Sequence, residues 1–265
     1  MRLTLSALLA SAALPAMAAD LAVKVPPVSV GDWTGFYLGI HGGYGRANPH
    51  VDDFDLNGTF GSVRFTDPRL KGWVLGGHAG YNWQWGRTVA GLEIDYSGAD
   101  MHESQFAAGT VNPFQGLAVD ADVKRAFTAK ADALASARAR LGILVNPEFL
   151  LYGTGGFAWA HSKADMSLSA ATSGPIIFTN DEQLHGGQNH FGWVVGAGGE
   201  WRLFGSNWLL RAEYLHYDFK DTTLTVTGRN TITSPPNFTS VFSDSVDLRN
   251  RMTTDVVRGG LSYRF

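Results

Sequence analysis

The chain contains no cysteine, so no disulfide framework can staple it. It has no run approaching the roughly 20 apolar residues of a membrane helix, which excludes a helical inner-membrane protein. Charge is also scarce. Only 17% of residues are Asp, Glu, Lys or Arg, and the formal net charge is −3, so there is no basic footprint for a nucleic acid.

What the chain has instead is glycine and aromatics: 32 Gly, with 16 Phe, 8 Trp and 8 Tyr, at a mean hydropathy of −0.06. That composition is unlike a helical enzyme. Met1 and Arg2 start a positive end, residues 3–14 form an apolar core too short to span a bilayer, and Ala16-Met17-Ala18 is a small-x-small cleavage site. Residues 1–18 therefore read as a signal peptide. Residues 19–32, with Pro26-Pro27, read as a periplasmic leader, and residues 33–265 as one domain.

Within that domain the recurrent pattern has a period of two. In residues 251–265, Val257, Gly259, Leu261, Tyr263 and Phe265 fall on one face, and Arg258 and Arg264 on the other. An apolar-out strand ending in a C-terminal Phe is the expected closing strand of an outer-membrane barrel, and its outward residues the expected assembly signal. The same alternation predicts seven earlier strands, at residues 33–45, 72–85, 88–99, 129–145, 149–161, 190–203 and 208–219. Residues 130–142, KADALASARARLG, form a helical string by propensity. They read as a strand because Arg138 and Arg140 alternate with Ala and Leu, and because a missing strand would leave an odd count and an open edge.

Connection lengths carry the strongest argument. Residues 86–87, 146–148 and 204–207 are of hairpin length, whereas 46–71, 100–128, 162–189 and 220–250 are each roughly 25 to 30 residues. Short and long connections in alternation predict an eight-stranded antiparallel transmembrane β-barrel with short periplasmic turns and four long external loops.

The quoted strands carry a resemblance. WTGFYLGIHGGYG at 33–45, GYNWQ at 80–84, RARLG at 138–142, GTGGFAWA at 153–160, RAEYLHYDF at 211–219 and the terminal VVRGGLSYRF together resemble the outer-membrane immunogenic-protein family of alphaproteobacteria. The resemblance implies a small barrel related to OmpA-type membrane domains, in a family with members described as porins or hemin-binding surface proteins. It implies an abundant envelope and surface antigen, and brings no active site with it.

Candidate sites follow from which face each residue occupies. Glu93, Asp95, Arg138, Arg140, Glu200, Arg202, Arg211, Glu213, Arg258 and Arg264 are expected to face the lumen. Both signs are present, so they can pair into a plug, or else line a narrow gated pore. His41 and His78 join them without an evident third metal ligand. His50, His102, His161, His185 and His190 lie in or beside the external connections and are candidate hemin or metal ligands if they converge. Asp53, Asp55, Asn57 and Gly58 open like a calcium loop, but Arg64 stands where a bidentate Glu is needed, so no metal is assigned. No nucleophile-elbow motif is present. Neither an enzyme nor a resident cofactor is expected.

The function expected is a structural and antigenic surface barrel that supports the envelope. Its expected partners are outer-membrane lipid and lipopolysaccharide, the assembly machinery through the last strand, and hemin or host surface ligands at the loops. A small porin and a hemin-binding surface protein are the alternatives.

Overall fold

The computed structural model describes residues 32–51, 69–111, 120–173, 179–234 and 238–265. The expected signal peptide, nearly all of the leader and the calcium-like loop lie outside those residues. What is described is strand almost throughout: β1 (Gly35–Val51), β2 (Leu70–Trp85), β3 (Thr88–Val111), β4 (Asp120–Asn146), β5 (Phe149–Ser173), β6 (Thr179–Arg202), β7 (Trp208–Phe219), β8 (Thr222–Ser234) and β9 (Phe238–Arg264). A 3-10 turn at Leu203–Gly205 joins β6 to β7, so Leu203 ends strand six rather than belonging to it.

Neighbours pair antiparallel, and β1 also pairs with β9, which closes the sheet on itself. β7 pairs with β6 and β9 near the short turns, while β8 pairs with the same two strands farther out. The nine segments therefore occupy eight wall positions, and β7 and β8 are one wall strand interrupted at residues 220–221.

Following partners once around the wall sets the barrel's geometry. The path Tyr37, Gly80, Glu93, Arg138, Gly156, Val194, Tyr217, Thr254 returns to β1 at Ala47, a stagger of ten residues, from 37 to 47. Eight strands with that stagger tilt about 40° to the axis and leave an interior just wide enough for side chains.

The Ala-rich segment is a strand. Once Arg138 and Arg140 are held inside, alternation wins over helix propensity. The wall bends at β-bulges between Ala131 and Ala133 and between Gly98 and Met101.

The stretches expected as external connections also differ from the expectation in their local structure. β3 to β6, and β8 with the first half of β9, carry the ladder well beyond the membrane zone as extended hairpins. There, small inward residues such as Ala121, Val123 and Ala170 pack together opposite polar outward ones such as Lys124 and Ser169.

Candidate functional site: the lumen and the outer rim

Side chains at alternate positions make three layers inside the wall. Nearest the short turns, Trp33 sits fully buried just before β1, packed with Val89, Leu144, Leu150, Tyr152 and Leu209. Its backbone N–H donates to Gln84 Oε1 at 2.6 Å, its indole N–H donates to the Pro147 carbonyl at 3.3 Å, and the Arg202 guanidinium lies 5.1 Å over its ring. A residue expected to begin the first strand is therefore an indole stopper across the periplasmic mouth.

Above it lies the ionic layer. Glu93 accepts from Arg138, from Arg211 at 2.7 Å and from Arg140 at 3.4 Å, and it also accepts the Tyr37 hydroxyl at 2.7 Å. Glu200 binds Arg140 and Arg211, each at 2.8 Å. Glu213 binds Arg138 at 2.9 Å and Arg258 at 2.8 Å, and Asp95 binds Arg258 at 3.0 Å and Arg138 at 3.2 Å while accepting from Ser136. Four carboxylates face four guanidiniums, all buried. The layer is neutral as a unit, which is the condition under which buried charge is tolerated.

Register explains the meeting. Glu93 is directly opposite Arg138, Glu200 opposite Arg211, and Glu213 opposite Arg258. The other two predicted lumen residues, Arg202 and Arg264, are inside the wall but away from this cluster, at the Trp33 end. Reading charges alone missed Tyr37 and Tyr152, whose rings lie 5.4 and 4.1 Å beneath the Arg140 guanidinium. Their sequence signal is an aromatic on the inward face beside an inward glycine. A Cβ on Gly80 would collide with the Tyr37 hydroxyl, and one on Gly198 would stand 2.7 Å from that of Tyr152.

His41 and His78 lie in this layer with Nδ1 atoms 3.1 Å apart. Arg258 donates to His41 Nε2 at 3.1 Å, and a guanidinium has no acceptor, so His41 carries its proton on Nδ1 and donates to His78. His78 in turn donates from Nε2 to Ser262 at 2.7 Å. The pair is a hydrogen-bonded relay within the network, and the described residues contain no group of three His, Cys, Asp or Glu able to hold a metal.

The third layer is mostly apolar, with a few buried polar groups. Val74, Leu134, Met101, Leu215, Tyr217 and Phe219 fill the outer half of the lumen.

The five outer histidines do not come together. His190 points into the lumen, buried beside Phe219, and binds Ser162 at 2.8 Å. His161, opposite Asn189, faces out and stacks on Trp159, while His185 pairs with Asp165 at 2.6 Å. His50 is on β1 opposite Arg251, and His102 is on β3 beside Asp100 at 3.5 Å.

The outer face is apolar where lipid would lie. Leu38, Leu75, Ile94, Phe157, Trp193, Val257 and Leu261 are all exposed there, and Trp208, Tyr263 and Phe265 pack edge to edge at the short-turn end. Exposed apolar area on that scale is tolerated only against lipid or a partner.

Known proteins agree with this geometry. The family described as outer membrane protein beta-barrel domain matches residues 5–265. The 31 kDa outer-membrane immunogenic protein of Brucella melitensis is 30% identical over 270 residues, covering 98% of each chain. The 22 kDa outer membrane protein of Rhizobium leguminosarum is 33% identical over 203 residues, covering 75% of this chain and 70% of its own. The 25 kDa outer-membrane immunogenic protein of Brucella canis is 28% identical over 279 residues, covering 100% of both. With its ring closed, its lipid face apolar and its relatives of this one kind, the chain belongs to the outer-membrane β-barrel domain family, alongside the outer-membrane immunogenic proteins, and is integral to the outer membrane.

Proposed function

We propose that the protein is a closed scaffold of the outer membrane, a plugged barrel that braces the envelope and carries its extended hairpins outward as a contact surface. The observation that supports this most is the filled lumen. A neutral ionic layer lies between a Trp33-capped layer and an outer layer rich in apolar side chains, packing that favours a plug over the open, water-lined path of a conducting pore. The scattered outer histidines give no reason to prefer hemin capture. The last strand, with Val257, Leu261, Tyr263 and Phe265 turned out, suits recognition by the assembly machinery before closure against β1.

Single-channel recording of the folded barrel in a planar bilayer tests the reading. The expected result is silence, with gel mobility before and after boiling certifying the fold. Reproducible conductance steps altered by Arg138→Met would overturn it in favour of a porin.

A further inference from the structure

One rung of the ladder carries an arrangement that sheets normally avoid. Arg46 on β1 is directly opposite Lys71 on β2, Lys71 is opposite His102 on β3, His102 is opposite Lys130 on β4, and Lys130 is opposite Lys163 on β5. All five face outward. Like charges directly opposite one another destabilise a sheet unless something neutralises them.

Toward β5 the neutralisation is internal, because Asp100 binds Lys130 at 2.9 Å and Asp132 binds Lys163 at 2.7 Å. Toward β1 it is only partial among the described residues. Lys71 forms no ion pair among the described residues. Arg46 is directly opposite Asp255 on β9, which feels its charge, but Asp255 Oδ1 is already shared by Tyr214 at 2.6 Å and His216 at 2.7 Å. Among the described residues, Arg46 and Lys71 thus form an exposed two-cation pair that makes no close ion pair and faces a single, shared carboxylate.

Its depth says which anion. One rung inward, Tyr44 is directly opposite Trp73, and their rings meet edge-on at 5.4 Å. Such aromatics lie at headgroup level, and the cations lie two residues, about 7 Å, farther along each strand. The short turns mark the periplasmic end, so this rim borders the outer leaflet. Below the aromatic pair the outer surface is lowered by Gly42, adjacent in register to Gly259 and Leu75. A Cβ at Gly42 would meet nothing nearer than 3.5 Å and one at Gly259 nothing nearer than 3.7 Å, so interior crowding does not demand glycine at either position.

We propose that Arg46 and Lys71 form a phosphate clamp for lipid A of the outer leaflet, with the lipid's acyl chain in the furrow over Gly42 and Gly259 and against Tyr44 and Trp73. The planar guanidinium forks a phosphate while the ammonium adds a point charge. This site rests on the envelope-scaffold reading and names the lipid partner of that surface.

The test titrates the full mature barrel, folded in a zwitterionic detergent, with lipid A bearing its phosphates, with dephosphorylated lipid A and with phosphatidylglycerol. Binding is read by native mass spectrometry. Phosphorylated lipid A should bind best, and Arg46→Gln with Lys71→Gln should weaken it roughly a hundredfold, about tenfold per charge-assisted contact. Arg251→Gln, which removes a rim cation already paired with Asp218 at 3.0 Å, should leave affinity unchanged. Equal affinity in the double variant, indifference of the unaltered barrel to dephosphorylation, or equal binding of phosphatidylglycerol would each overturn the clamp. The comparison of lipids on the unaltered barrel decides the matter even if the double variant does not fold. A barrel that conducts would sink the scaffold reading, whereas a silent one that ignores lipid A would sink only the clamp.

Discussion

The ionic layer and the Trp33 layer lie on the same strands and use opposite physics. Glu93 and Val89 are on β3 and both face in. Yet Val89 contributes only apolar burial, while Glu93 is held by three guanidiniums and a phenol. The apolar layer gains free energy from every group removed from water. The ionic layer offsets a desolvation cost with charge pairing, and is weak evidence for stability. What it supplies is uniqueness. A slip of one residue between β3 and β4 would move Arg138 to the lipid face and leave Glu93 without its opposite partner.

That contrast predicts a graded set of losses. Arg138→Met should be the most damaging, at about 5 kcal/mol, since it takes the shared cation from Glu93, Asp95 and Glu213 at once. Urea unfolding in lipid vesicles measures it. Adding Glu93→Gln restores equal numbers of charges and should recover part of the loss; a double variant worse than the single one would show that geometry, not neutrality, governs the layer. In the apolar layer, Trp33→Ala should cost about 3–4 kcal/mol as a plain cavity. Its loss takes the ring from beneath Arg202 but leaves the count of paired charges unchanged, so no charge-matching second substitution should rescue it.

The comparison extends to the lipid face. Ile94→Arg, midway along the apolar stretch of β3, should cost about 2–4 kcal/mol, whereas Leu210→Arg, one rung from Trp208 at the interface, should cost about 1 kcal/mol. Equal losses at the two sites would mean that the apolar band is set at another height on the wall.

These layers were legible to different degrees in the sequence. Where apolar and polar residues alternate with large contrast, as in Leu92, Glu93, Ile94 and Asp95, each side chain's face follows from counting by two. Past the membrane zone the contrast fades, because Ala, Ser and Thr occupy both faces of residues 162–172. A strand there looks like a loop until its partner is known. His190 shows a count not carried far enough: its parity with Glu200 and Arg202 already turns it inward, away from the outer rim. Trp33 was less accessible. It lies outside the ladder, and its place follows from the mouth it fills rather than from any period. The cation pair at Arg46 and Lys71 is invisible in the sequence, since 25 positions separate residues that register makes adjacent.

Tyr37 gives the finest comparison because it belongs to both chemistries, a ring under Arg140 and a hydroxyl on Glu93. Tyr37→Phe keeps the ring and removes only the oxygen. The carboxylate retains Arg138 and Arg211, and Arg140 retains Glu200, so no charge is left alone and the loss should be about 1 kcal/mol. In an Arg138→Met background the same change should cost more, because Glu93 would then have lost a guanidinium as well as the phenol. Unfolding measurements on both backgrounds give that coupling directly. If the two losses are equal, the phenol acts independently of the ion pairs and the layer is a set of separate contacts; if they differ, it behaves as one network.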